Sequence, residues 1–170
     1  METRIHRRAL IINALAAMFE TLIPPPVGSE KPTPAELGFP TELKTVQKRF
    51  VHWTALDQQD ALPALLLTYG DGGSAPDSEV VGYIDEIFPI AVTAVMKEEP
   101  GLKDLTEQAS DIHYSIGQLI NSCPTLGIEG VNPERTRIAN WRGSEGAITK
   151  FEVIRFRVLV VHRYHASENV

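Results

Sequence analysis

The sequence predicts an α+β fold: a mainly antiparallel sheet with two helices packed on it, in a single domain covering 1–170. Three observations carry this. Two segments, 8–22 and 102–121, repeat apolar residues at three- and four-residue steps. Two others, 79–97 and 147–165, alternate apolar and polar residues in strand fashion. Finally, 170 residues with 43% hydrophobic and 22% charged side chains suit one globular unit with a real core.

Taken in order, residues 9–19 are nearly all apolar and follow Arg4, Arg7 and Arg8, which superficially copies a secretory signal. The steps of Ile5, Ala9, Ile12, Ala16, Phe19 and Ile23 point instead to an amphipathic helix with Thr3 as N-cap. The run falls short of the ~20 apolar residues of a membrane span. The expectation is a soluble protein made in the cytosol. Six of the 12 prolines then fall in 24–40. Proline fixes φ and removes an amide donor, so this stretch ends the helix and continues as a surface loop.

Residues 43–53 mix Val46, Phe50, Val51 and Trp53 with Lys44, Gln47, Lys48 and Arg49, as in a strand with one solvated face. A polar bend at 54–60 leads to the apolar run 62–69, read as a buried strand. Glycines and polar residues over 70–78 predict a flexible hairpin tip. In 79–97, Ile84, Phe88, Ile90, Val92, Ala94 and Met96 share one side. Pro89 implies an edge position, a bulge or a bend there. Nineteen residues would be long for one flat strand, so a bent strand or two successive ones are expected.

Leu102, Leu105, Ala109, Ile112, Ile116 and Leu119 form one helical stripe, which Cys123 continues. Pro100 and Gly101 open this helix and Pro124 closes it. Residues 135–142 and 147–165 read as a hairpin with a four-residue loop at 143–146. That register sets Arg142 against Ala147, Ile138 against Phe151 and Arg137 against Glu152. Farther on, Ile154, Phe156, Val158 and Val160 face the core, with Arg155 and Arg157 opposite.

Composition also excludes function classes. With 16 basic and 22 acidic residues the net charge is −6, unlike a dedicated binder of phosphate backbones. One cysteine permits no internal disulfide, and no Cys/His framework for zinc exists. Gly70, Asp71, Gly72 and Gly73 lack the Lys-Ser/Thr ending of a phosphate loop. His162 and His165 would point to opposite faces of a strand, in a frayed tail. Asp111 and His113 lie two apart on a helix and do not face each other. Asp85 with Glu86, and Asp57 with Asp60, are carboxylate pairs in sequence only. Cys123 reads as a small core residue. No catalytic residue, cofactor or metal ligand is therefore expected. Trp53, Trp141, Arg142, Arg155 and Arg157 are of the types enriched at interface centres. Their alternative reading is sheet packing for the tryptophans and a solvated outer face for the arginines.

The order of elements resembles the tail terminator proteins of long-tailed phages and phage-like particles, also described as minor tail or tail completion proteins. The carrying features are the helix over 8–22, Val46-Gln47-Lys48-Arg49 entering a strand, and Leu62-Pro63-Ala64-Leu65 opening the next. Phe88-Pro89-Ile90-Ala91-Val92 in the long strand, the helix to Asn121 and the hairpin through Phe156-Arg157-Val158 complete it. The resemblance covers most of the chain outside the Pro-rich segment.

That resemblance implies a non-enzymatic virion protein, assembled in the host cytoplasm and placed at the head-proximal end of the tail. It implies a hexameric ring that caps the finished tail tube, stops its polymerisation and offers a docking surface to the head or neck. Implied partners are copies of itself, the major tail tube protein, a head–tail connector, and duplex DNA passing through the lumen without sequence-specific binding. Six acidic chains would suit an acidic lumen that repels phosphates. The polar segments 54–60, with Asp57 and Asp60, and 70–78, with Asp71, are expected to contact neighbouring rings, and deleting 71–77 is expected to spare folding. Rival readings are a head–tail connector or neck protein, a small soluble α+β enzyme, and a ferredoxin-like RNA-binding domain. The last is weakened by the acidic charge and the lack of an aromatic RNP-like strand.

Overall fold

A computed structural model describes residues 4–70, 75–80, 82–101, 103–144 and 150–169. Helix α1 (Arg4–Glu20) is followed by strand β1 (Thr45–Gln47), the short helix α2 (Trp53–Gln58), and strands β2 (Ala64–Tyr69), β3 (Ala75–Val80) and β4 (Tyr83–Lys97). Helix α3 (Leu105–Ser122), strands β5 (Arg137–Arg142) and β6 (Phe151–His165), and a 3-10 turn (Ala166–Asn169) complete the chain. The fold is α+β. Its sheet runs β1-β2-β4-β6-β5, and β3 pairs with β4 beside this path. Among the described strands only β1 and β2 pair in parallel.

Strands β4 and β6 are the spine. They pair without interruption from Tyr83 opposite His165 to Lys97 opposite Phe151. Residues 79–97 divide into two successive strands, as expected, with Glu79 and Val80 ending β3 and β4 starting at Tyr83. Strand β4 itself stays whole while its other edge changes neighbour: β3 takes Tyr83–Ile87 and β2 takes Ile90–Val95. This corrects the expectation for Pro89, which sits in a central strand. Its carbonyl accepts from the Gly70 amide at 2.9 Å. Carbonyl and amide of one strand residue point the same way. The missing donor of Pro89 therefore faces the place where β2 has ended and β3 has yet to begin.

Alternation along β4 and β6 divides the sheet into two faces. Phe88, Ile90, Val92, Ala94 and Met96, with Ile154, Phe156, Val158 and Val160, point to the helices α1 and α3. Leu65 and Leu67 of β2 join them. Helix α1 contributes Ile11, Ile12, Leu15, Ala16 and Phe19; α3 contributes Ile112, Ile116, Leu119 and Ile120. Burying each of the larger aliphatic and aromatic side chains stabilises the fold by about 1.5–3 kcal/mol before entropy is counted. Two helices on one sheet face match the sequence reading. The α1 stripe is centred on Ile12, Leu15 and Phe19, with Ala9 only half-buried; Thr3 lies outside the described residues.

Helix α3 starts three residues later than predicted. Asp104 is its N-cap, and its carboxylate accepts from the Glu107 amide at 2.9 Å. A carboxylate that satisfies a free helix amide outweighs the preceding Pro-Gly as a start signal. Leu102 lies outside the described residues. Cys123 caps the helix and is half-buried, with its amide bonded to the Leu119 carbonyl. The Pro-rich segment runs over the surface through turns, and its ends are pinned where the Leu43 amide donates to the Leu22 carbonyl at 2.8 Å.

Four local expectations fail. The strand over 43–53 is only Thr45–Gln47, because the chain then turns away to start α2. Residues 54–60 form most of α2 and its C-cap rather than a polar bend; His52, extended at φ −67° and ψ 140°, caps it by accepting from the Thr54 amide. Residues 75–78 belong to β3 rather than a hairpin tip, so deleting 71–77 would remove part of a strand. The β5–β6 register also differs: Ile138 faces Val158, Arg137 faces Leu159 and Arg142 faces Arg155. Strand β6 begins only at Phe151, so the connection exceeds four residues; Ala147 lies outside the described residues.

Candidate functional site

Near one end of the second sheet face Asp85 and Val161 are buried, and a helix covers the other end. There α2 lays Leu56 on Leu62, Ala64, Leu66, Val95 and Val153. Beyond it, Ala91 and Thr93 of β4 and Arg155 and Arg157 of β6 form the floor of a concavity of about 740 Å³. Trp53 of α2 stands on one side, with Asn140, Arg142, Gly143 and Ser144 on the other.

Strand geometry explains the cluster. Arg155 and Arg157 are two apart on β6 and share a face, roughly 6.6 Å from each other along the strand. Arg142 lies directly opposite Arg155. Asn140 adopts a left-handed φ of 56°, where the β5–β6 register shifts. This bulge turns Trp141 to the helix face, where its ring stacks on Phe156 at 4.7 Å and meets His113 at 4.2 Å. Arg142 then returns to the open face.

Among the described residues, Arg142, Arg155 and Arg157 make no ion pair or side-chain hydrogen bond. Like charges directly opposite each other in a sheet are destabilising. The arrangement thus leaves a positive field over a small-residue floor in a chain that is acidic as a whole.

The structure places the other predicted interface residues elsewhere. Asp57 of α2 pairs with Lys97 at 2.5 Å, and Asp60, at φ 49°, pairs with Lys44 at 2.6 Å. The hydrogen bond from Lys44 holds the Asp60 carboxyl below its ordinary range, and the bond to Asp57 raises the Lys97 ammonium. Asp71 lies outside the described residues. Trp53, Arg142, Arg155 and Arg157 come together; Trp141 is on the opposite face.

Acid–base candidates do not converge. Asp111 binds Lys103, whereas the exposed His113 lies against Trp141. Among the described residues no group of three or more His, Cys, Asp or Glu is placed to hold a metal ion. The C-terminal histidines do differ from expectation. His162 is 8% exposed inside β6, not in a frayed tail. It lies opposite the fully buried Glu86, while the Arg7 guanidinium sits 4.0 Å over the Tyr164 ring. This polar layer joins α1 to the far end of the spine. On the other face there, Arg163 grips the buried Asp85 with two bonds, at 2.7 and 3.0 Å. Sequence reasoning missed both features, although alternation along 151–165 carries the signal for them.

A second concavity, also about 740 Å³, lies between the Pro-rich segment and α3, with Ile23, Phe39 and Ile112 in its wall and Lys103 and Asp111 at its rim. No described helix is long and apolar enough to cross a membrane. No family model matches the chain, and no curated protein sequence matches it.

Proposed function

We propose that this chain is the repeated subunit of a ring, hexameric by its resemblance, that caps the head-proximal end of a phage-type tail tube. In this reading it ends tube growth, offers the head or neck a docking surface and breaks no bonds. One observation carries it: among the described residues, the long sheet keeps one face largely uncovered by helices, with three arginines on it that make no ion pair. A surface of that kind suits a contact with another subunit. When the contact joins two different patches it is heterologous, and it yields a ring if the rotation closes. The order of helix, strands, helix and hairpin on which the resemblance rests is present, with the short α2 added between β1 and β2.

The arginine face also bears on orientation. An acidic lumen would repel passing duplex DNA, whereas arginines facing inward would hold it. The reading therefore turns this face toward a neighbour and away from the channel. The experiment is native mass measurement of the full chain, alone and with tubes of the major tail tube protein, joined to negative-stain class averages. A closed ring with cyclic symmetry on tube ends supports the proposal. A chain that stays monomeric in both settings would remove it.

A further inference from the structure

We infer that the arginine face is the socket for an acidic shoulder of the next copy of the same chain, formed by Glu98, Asp104 and Glu107. This deepens the ring reading and rests on it. Three observations converge. First, Arg142 sits directly opposite Arg155, with Arg157 one step along the same face, and none of the three meets a carboxylate among the described residues. A like-charge pair across two strands costs stability until an anion sits over it. Second, the part of the floor beside the arginines is Ala91 and Thr93, small enough to admit incoming side chains.

Third, the chain carries the complement. Glu98, Asp104 and Glu107 are exposed where β4 passes into α3. None is within ion-pair distance of a cation among the described residues, although the Glu107 charge helps to raise the Lys103 ammonium and the Asp104 carboxylate caps α3. The neighbouring cations are already engaged: Lys97 with Asp57 and Lys103 with Asp111. Helix α3 packs on one face of the sheet and the arginines occupy the other. The start of α3, with Asp104 and Glu107, thus belongs to the side opposite the arginines, as a head-to-tail repeat requires, and Glu98 lies at the strand end between the two sides. Desolvated charge pairs of this kind fix register and partner choice more than they add raw affinity.

The test uses two double variants of the full chain, R142E/R155E and E98R/E107R, with assembly followed by sedimentation velocity and on tube ends. All four positions are exposed, and circular dichroism checks folding. Asp104 is left intact because it caps α3. Each variant alone is expected to assemble about tenfold more weakly or worse. An equimolar mixture is expected to recover assembly, because the reversed socket of one accepts the reversed shoulder of the other. Should a variant prove unfolded, R155Q and E107Q give the same comparison with a smaller loss.

Variants that assemble like the parent would overturn the socket while leaving the ring standing. Loss of duplex DNA binding by R142E/R155E with assembly unchanged would overturn it in favour of a phosphate site. A parent that never self-associates, with or without tubes, would remove the ring and the socket together.

Discussion

Gly70 and Pro89 meet backbone to backbone at the point where β4 exchanges one neighbour for another. The Gly70 amide donates to the Pro89 carbonyl at 2.9 Å, and a Cβ on residue 70 would stand 2.7 Å from that same oxygen. Glycine is required there because backbone approaches backbone, and a carbonyl in a paired strand has little freedom to move.

Gly70→Ala is therefore expected to destabilise the fold by about 1–3 kcal/mol, the usual cost of forcing atoms into a filled site. Urea unfolding followed by fluorescence measures it as a lower midpoint with an unchanged slope. Gly117, where an added Cβ meets nothing within 4 Å, is the control. Gly117→Ala, in the middle of α3, should stabilise by up to about 1 kcal/mol.

Trp141 anchors β5 to the core by stacking on Phe156. Trp141→Ala should cost about 2–4 kcal/mol, somewhat less than a fully buried aromatic because its ring is half-exposed. Trp53→Ala, at the rim of the concavity, should cost less in stability and weaken self-association instead. Equal losses in both variants, by thermal unfolding, would contradict the separation of the two tryptophans onto opposite faces.

Asp104→Ala removes the acceptor for the Glu107 amide and should cost about 0.5–2 kcal/mol. Asp104→Asn should retain most of that stability, because a neutral oxygen can still accept the bond. Comparison of the two melting curves separates capping from charge.

Asp60 and Lys97 set the pH limits of their surface network. The Asp60 carboxyl is held below its ordinary 3.8 by Lys44, so its contribution is present above 3.8 and is lost as pH falls through the lowered value. The Lys97 ammonium is raised above its ordinary 10.5 by Asp57, so its contribution is present below 10.5 and is lost as pH rises through the raised value. Both groups are solvent-screened, which keeps the effects small. Melting temperatures across pH should show Asp60→Asn altering the acid limb alone and Lys97→Met the alkaline limb.

The strong periodicities were legible in the sequence. Phe88 through Met96 and Ile154 through Val160 lie on the core face, with Ile84 only half-buried outside it, and Ile112, Ile116 and Leu119 form the buried stripe of α3. Long amphipathic segments reveal their partners' side because burial and period coincide. What escaped was short or depended on closure. Helix α2 spans six residues, too few for a helical period to register. Strand β3, Ala-Pro-Asp-Ser-Glu-Val, has no apolar alternation. The β5–β6 register depends on the length of the connection and on the left-handed Asn140, which nothing in residue type announces. Of the proposed interface residues, Arg155 and Arg157 were legible by strand phase, whereas Trp53, which lies in α2, and Arg142 were legible by residue type alone. The same bulge that moved Arg142 beside them sent Trp141 to the other face.

The most direct measurement is the length distribution of tail tubes polymerised from the major tail tube protein with and without this chain, scored by electron microscopy. The account predicts tubes that stop elongating once added chain is present, each bearing a closed ring at one end. Tubes that keep growing at an unchanged rate, with bare ends and the chain left free in solution, would contradict it.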